Sequence, residues 1–279
     1  MPELPEVETV RRTLAPIIGA RVTRVWHSGL PLHLNRPLDL PALRRACLRA
    51  DVERVDRLGK YLLVYFHGRD DLALVHLGMS GRLRVFPHAA PEVPHTHVVW
   101  SLEDGRSVRY SDPRRFGFVG TAGRGAERDH PSLARIGVDP INEPFSGAVL
   151  HALTQGSSQQ LKTFLLDQRK VAGIGNIYAA EALWAARIRP TLRAHRLSAS
   201  RAVALANAVR NVLEHALTRG GTSLKDFVNA SGNPGDYRKH LRVYGREGLR
   251  CPRRGCGAQI KRIVSQGRAT FLCPRCQHS

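Results

Sequence analysis

The sequence predicts an α+β fold: a β-sandwich or barrel first, a helical part second, and a small cysteine-bearing module at the end. Three observations carry this. Short β-branched runs separated by turn residues dominate from Arg21 to about Val119. Helical periodicity takes over after Pro144. Four of the five cysteines lie at or beyond position 251. The 279 residues, at about 150 per domain, allow roughly two domains with cores of their own.

The elements follow in order. Residues 2–16 read as a short amphipathic helix, with Val7, Val10 and Leu14 on one stripe, acids in the first turns, and Arg11 and Arg12 toward the end. Gly19 stops it. Strands are expected at Val22–Trp26, Tyr61–Phe66, Leu72–Leu77, Leu83–Phe86, Val98–Leu102 and Ser107–Tyr110, with Asp104-Gly105 as a hairpin turn. Gly120–Asp129, rich in glycine and charge, reads as a linker. Helices are expected at Gly147–Thr154, Ser158–Asp167, Ile177–Ala186 and Ala199–Leu217, the last closed by Gly220-Gly221. Thr222–Asp236 is polar and glycine-rich and reads as mobile. In the tail, Ile260–Val264 and Thr270–Leu272 pair as a hairpin with Gly267-Arg268 at its turn. The expected division is 1–130, 131–240 and 241–279.

The charge narrows the partners. Basic residues number 43 against 23 acids, a formal charge of +20. Six of the 43 are lysines and 37 are arginines. Arginine is the better fork for phosphates and base edges. The charge runs through folded-looking sequence rather than a tail, which points to a nucleic-acid partner. A hydrophobic fraction of 42% excludes a disordered basic chain. The apolar run between Lys60 and His67 is too short to span a membrane. The acidic N-terminus lacks the basic start of a signal peptide, so a soluble, intracellular protein is expected.

Three motifs carry chemistry. Cys251-Pro252-Arg253-Arg254-Gly255-Cys256 and Cys273-Pro274-Arg275-Cys276 offer two cysteine pairs on tight turns, able to converge on one tetrahedral Zn²⁺. Two disulfides are the competing reading, disfavoured in a reducing compartment. Four thiolates leave no open position, so the zinc is expected to be structural. Cys47, alone among apolar residues, reads as core.

The second motif is Leu161-Lys162 leading to Gly173-Ile174-Gly175-Asn176-Ile177-Tyr178. A dinucleotide loop lacks its third glycine and its preceding strand here. Asn176 instead reads as the N-cap of the following helix, where free N–H groups could meet a phosphate. An ordinary capped turn explains it equally well. The third motif is Pro2 beside Glu3. Removal of Met1 would expose a secondary amine, and a terminal amine with a pKa of about 8 is partly nucleophilic at neutral pH. Its attack on a carbonyl-like carbon gives an iminium, an electron sink, with the carboxylic acid beside it for proton transfer. On composition alone the plainer reading, a helix start, prevails.

Taken together, Met1 to Arg12, His76-Leu77-Gly78-Met79, Asp112-Pro113-Arg114-Arg115-Phe116-Gly117, the Gly173–Tyr178 turn and the cysteine tail resemble the formamidopyrimidine-DNA glycosylases in order and over the full length. The resemblance implies an N-terminal β-sandwich opened by a catalytic helix, a helix–two-turn–helix domain and a zinc-finger hairpin. It also implies damaged duplex DNA bound in the cleft between the halves of a bacterial, cytoplasmic, nucleoid-associated monomer. Pro2 then corresponds to the nucleophile on C1′ and Glu3 to the general acid/base. Lys60 corresponds to the proton donor and phosphate ligand of β-elimination, and Arg268 to the arginine of δ-elimination. His76, His95, Lys162 and Asn176 match DNA contacts. Met79, Arg114 and Phe116 match the residues that fill the hole left by a flipped nucleotide, with Arg114 placed to read the orphaned cytosine. The lesion-capping loop falls within Thr222–Asn233.

The implied activity is removal of oxidised purines by a Schiff-base glycosylase and abasic-site lyase. One departure is the first cysteine pair, separated by four residues where two is usual in the family. The nearest competitor, an endonuclease VIII-type enzyme for oxidised pyrimidines, usually departs from this N-terminus and lacks the Asp112–Phe116 pattern. A non-catalytic zinc-finger DNA-binding protein has no need of Pro2, Glu3 and Lys60 together.

Overall fold

The structure is a computed structural model that describes residues 1–32, 37–87, 89–223 and 227–279. The chain forms two compact units, one of Met1–Arg135 with Arg219–Asp236, the other of Ile136–Thr218 with Tyr237–Ser279. Segment 219–236 thus joins the first unit, although the expected boundaries group it with the helices.

The first unit opens with α1 (Leu4–Thr13). It is shorter than the expected 2–16, because Glu3 is extended as its cap and residues 15–17 form a separate turn of 3₁₀ helix. Two four-stranded antiparallel sheets follow. One, in the order β1-β6-β7-β5, comprises β1 (Val22–His27), β6 (Thr96–Leu102), β7 (Ser107–Ser111) and β5 (Arg82–Phe86). The other, β2-β3-β4-β8, comprises β2 (Val52–Leu58), β3 (Tyr61–Phe66), β4 (Asp71–His76) and β8 (Phe118–Gly123). Val25, Val98, Trp100 and Tyr110 of the first meet Val55, Leu62, Val64 and Val75 of the second in one core, with Val7, Val10 and Leu14 of α1. This is the β-sandwich the sequence predicts, and Asp104-Gly105 is the β6–β7 turn.

Four features depart from the sequence reading. A helix α2 (Leu40–Cys47), capped by Asp39, buries Leu43 and Cys47 in the core. Strand β2 sets two charged residues between successive apolar ones, Val52, Val55 and Leu58, so it shows no period of two in the sequence. Gly120–Asp129 is no linker: β8 runs through residues 118–123 in register with β4, Leu74 opposite Gly120. Gly120 makes room for the Phe118 ring, which a Cβ there would meet at 2.4 Å. The described part of 222–236 is anchored, with Ala230 buried, its N–H donated to Thr13 Oγ1 at 3.0 Å and its carbonyl accepting from Val85 at 2.9 Å. Residues 224–226 of the expected lesion-capping loop lie outside the described residues.

The second unit contains α3 (Gly147–Gln155), α4 (Leu161–Leu166), α5 (Asn176–Ala185) and α6 (Ala199–Thr218). Helix α4 is shorter than the expected 158–167, because Gln160 and Leu161 bond instead to the 192–193 segment. The tail forms β9 (Lys261–Ser265) and β10 (Arg268–Leu272), an antiparallel hairpin turned at Gln266 and Gly267, both with positive φ. Arg268 opens β10 rather than sitting in the turn. No helix among the described residues is long and apolar enough to cross a membrane.

Candidate active site and zinc centre

In the first unit, Pro2 and Glu3 are buried at the start of α1. Glu3 and Glu6 form a reciprocal capping box: the Glu6 carboxylate accepts the Glu3 N–H at 2.8 Å, and the Glu3 carboxylate accepts the Glu6 N–H. The other oxygen of Glu6 accepts the N–H of Thr222 at 2.7 Å. Glu6 therefore ties the Pro2–Glu3 pair to the 219–236 segment, a role the sequence reading missed. Its signal was the Glu-x-x-Glu spacing of a capping box.

The charges around the terminus matter for an amine. The terminal ammonium, carried by Met1, is held below the usual 8.0, chiefly by burial. Glu3 and Glu6 pull the other way, while Lys60 and Arg114 add to the lowering. Lys60 occupies the Gly59-Lys60 turn between β2 and β3 and is only 5% exposed. A cation at a buried turn close enough to act on the terminus is suited to chemistry rather than to solubility.

His76 ends β4, its ring 4.6 Å from that of Tyr61. Its Nδ1 accepts the Gly78 N–H at 3.1 Å, so a neutral ring carries its proton on Nε2, a donor suited to an anion. His95 is exposed with φ of +60°, and its carbonyl accepts the Asp112 N–H at 3.0 Å.

Fully buried Asp112 organises the neighbouring loop. Its carboxylate accepts from Ser80 Oγ at 2.6 Å, Gly117 N at 2.8 Å, Arg114 N at 3.2 Å and Tyr110 Oη at 3.2 Å. Gly117 is required, since a Cβ there would lie 1.7 Å from Tyr110 Oη. The loop holds Arg114 over the Phe116 ring at 4.7 Å. Phe116 is 40% and Met79 46% exposed, large apolar groups held out by ordered loops. That excludes core packing for both and leaves them able to enter a gap between bases.

In the second unit the three expected contacts gather at β10. Asn176 is the first residue of α5, not its cap, which is Gly175. Its Nδ2 donates to Ala269 O at 3.1 Å. Lys162 is buried, and its ammonium donates to the same carbonyl and to Thr270 Oγ1, each at 2.8 Å. It holds the strand rather than offering a surface cation. Arg268, the residue before Ala269, is exposed.

The four tail cysteines are buried and their sulfurs lie within 4.8 Å of one another. Sulfur–sulfur distances are 3.2 Å for Cys256–Cys276, 3.5 Å for Cys256–Cys273 and 4.0 Å for Cys251–Cys276. Thiolates at about 2.3 Å from a tetrahedral Zn²⁺ stand about 3.8 Å apart, so the set fits one closed zinc site, and the long first loop does not prevent it. Cys47 takes no part. Burial pushes its thiol up to about 12, leaving an inert core residue.

Comparison with known proteins accounts for this arrangement. The family model of the formamidopyrimidine-DNA glycosylase N-terminal domain matches residues 1–119, that of its H2TH domain residues 136–228, and the zinc finger found in FPG and IleRS residues 248–278. The tail is therefore a zinc finger holding one structural zinc. The formamidopyrimidine-DNA glycosylase of Stenotrophomonas maltophilia (strain K279a) is 44% identical over 99% of this chain and 100% of its own. That of Magnetococcus marinus is 40% identical over 100% of both. Among solved structures, MutM (Fpg) of Thermus thermophilus has a TM-score of 0.85 at 39% identity, covering 99% of this chain and 98% of its own. Lactococcus lactis Fpg in complex with abasic-site DNA has a TM-score of 0.89 at 32% identity, covering 99% of this chain and 100% of its own. The chain belongs to the formamidopyrimidine-DNA glycosylase family.

Proposed function

We propose that the protein is a bifunctional DNA glycosylase and abasic-site lyase of base excision repair, removing oxidised purines such as 8-oxoguanine and formamidopyrimidines from duplex DNA. The observation that carries this is the buried Pro2–Glu3 pair at the head of α1, with Lys60 acting electrostatically on the terminal amine. A DNA-binding module has no use for such a pair.

Loss of Met1 leaves Pro2 as the terminal amine, among the same charges. Its nitrogen lone pair attacks C1′, the C1′–N9 bond breaks, and the base leaves with a proton. Glu3 supplies the proton that opens the sugar ring, giving an iminium between Pro2 and C1′. The iminium acidifies C2′. Loss of that proton breaks the C3′–O bond, and a second elimination breaks the C5′–O bond, leaving phosphate at both ends of a one-nucleotide gap. Lys60 and Arg268 serve these eliminations by holding phosphate. His76 and Asn176 contact DNA phosphates, His95 makes a further DNA contact, and Lys162 acts through the strand that carries Arg268. Met79, Arg114 and Phe116 fill the space of the extruded nucleotide, which suits a purine enzyme better than a pyrimidine one. The zinc shapes the hairpin and takes no part in the chemistry.

In this reading 1–130 is the catalytic segment, 131–240 the helix–two-turn–helix segment and 241–279 the zinc-finger hairpin, in a cytoplasmic monomer. Borohydride trapping on a duplex containing 8-oxoguanine tests it. A covalent adduct mapping to Pro2 is expected; an adduct on Lys60 or Lys162 with Pro2 unmodified overturns the assignment.

A further inference from the structure

The zinc module grips helix α5 at both ends, and the second grip comes from residues of its long first cysteine loop. At the N-terminal end, Asn176 Nδ2 donates to Ala269 O of β10 at 3.1 Å. At the C-terminal end, Arg253 Nη2 donates to Trp184 O at 2.8 Å, and its guanidinium carbon lies 4.6 Å from the centre of the Trp184 ring. Arg253 lies between Cys251 and Cys256, where four residues intervene instead of the two usual in the family. Trp184 O is among the last carbonyls of α5, at the negative end of the helix dipole, where a cation is stabilising.

Asn176 and Trp184 are eight residues apart, a span of about 12 Å along the helix. The hold on Arg253 reaches the hairpin through short, stiff connections. Arg275 Nη1 donates to Cys256 O at 2.7 Å, joining the second cysteine loop to the first, and Cys273 directly follows β10. Lys162 also holds the hairpin, at Ala269 O and Thr270 Oγ1, and Gln277 Nε2 holds the end of the module to Ile188 O at 2.9 Å. Arg253 adds the hold on the first cysteine loop, at the helix end away from Ala269.

We propose that Arg253 is a positioning residue: by clamping the long cysteine loop to the end of α5, it sets the placement of Arg268 relative to Asn176. This rests on the reading of those two residues as DNA-backbone contacts. Arg253 itself, half-buried and turned onto Trp184, has its guanidinium engaged inside the protein.

The test uses the full-length, zinc-loaded protein and a duplex carrying a tetrahydrofuran abasic analogue. Arg253→Ala is expected to keep one zinc per chain, to change Trp184 fluorescence, and to bind the duplex about fivefold more weakly. On abasic DNA the loss should appear in KM, with kcat within about twofold. The slope of log K against log salt should not change, since no phosphate contact is removed. Arg253→Lys keeps a cation at the carbonyl without the flat stack and should recover part of the affinity. Binding equal to wild type despite altered fluorescence overturns the proposal. So does loss of zinc, which would make Arg253 a folding residue, or a slope flatter by about 0.9, which would make it a direct phosphate contact. If Arg268→Ala and Asn176→Ala both bind as wild type, the backbone-contact reading fails, and the proposal fails with it.

Discussion

Glu3 caps α1 while standing beside the terminal amine, so its position is fixed before substrate arrives. Glutamine at this position keeps an oxygen for the Glu6 N–H but has no proton to exchange. Glu3→Gln should therefore fold normally and lose excision of 8-oxoguanine. Strand cleavage at a preformed abasic site, where the base has already gone, should remain measurable. Gel assays on the two substrates separate these outcomes. The amine itself sets a second expectation. At Met1 the terminal ammonium is held down first by burial, with Glu3 and Glu6 opposing and Lys60 and Arg114 adding to the lowering; Pro2, once terminal, meets the same charges, and only its unprotonated form attacks. The rate of Schiff-base trapping should rise with pH as the terminal amine loses its proton. Removing a lowering charge must raise the midpoint of that rise, so Lys60→Gln should shift it upward whatever it does to the plateau. A midpoint that stays put or falls would show that Lys60 does not act on the nucleophile.

Two elements are held by buried carboxylates whose importance the sequence did not reveal. Helix α1 is joined to β2 through Glu8, which accepts from Arg11 at 2.8 Å, Arg12 at 2.9 Å and the fully buried Arg57 at 3.1 Å. These partners, with hydrogen bonds from Arg11 and Arg12 leading, outweigh burial and hold Glu8 at about 2, below the usual 4.5. A depressed carboxylate stabilises fully above its unfolded pKa, and that contribution is lost as pH falls from about 4.5 toward 2. Glu8→Gln should cost about 2–3 kcal/mol at pH 7, because Arg57 stays buried without its carboxylate. The cost should shrink in urea unfolding at pH 3. For the loop 112–117, Asp112→Ala strips the acceptor from two backbone N–H groups and two hydroxyls. A loss of about 3 kcal/mol should accompany loss of excision from duplex DNA. Both carboxylates look like ordinary surface acids in the sequence, because one partner of each is distant in the chain, Arg57 for Glu8 and Ser80 for Asp112. Among the strands that were legible, Tyr61–Phe66 carries an unbroken apolar run, while Val22–Trp26 and Leu83–Phe86 show through their β-branched and aromatic residues despite Arg24 and Arg84. Strand β8 was hidden because glycine at position 120 makes room for a ring rather than a turn.

At the scale of the whole molecule, the order of β part, helical part and cysteine module was legible, since each has its own periodicity or spacing. The four cysteines could be named from their spacing, whereas Pro2 and Glu3 took their roles from the family resemblance, since the residues alone favour a helix start. Lys162 could not be judged that way: a lysine in a motif looks alike whether it faces a phosphate or, as here, the backbone of β10. The zinc module and the sandwich have separate cores. Chelation, or Cys273→Ser, should therefore unfold the module and abolish cleavage while the sandwich stays folded, which zinc analysis and hydrogen exchange can follow together. The +20 charge bears on how the molecule meets DNA before any lesion is found. Many arginines are already committed, Arg57 to Glu8, Arg124 to Glu53 and Arg253 to Trp184, so net charge alone does not count phosphate contacts. Each phosphate neutralised by a cation contributes about −0.9 to the slope of log K against log salt. With Lys60 and Arg268 on phosphates, as proposed, the slope for undamaged duplex should be about −2 or steeper, other exposed arginines adding to it. Arg268→Ala should flatten the slope by about 0.9, whereas Asn176→Ala, which removes a donor but no charge, should weaken binding with the slope unchanged. Titrations of both variants at several salt concentrations decide the matter. A wild-type slope near zero, or equal flattening by the two variants, would overturn the division of labour assigned to Arg268 and Asn176.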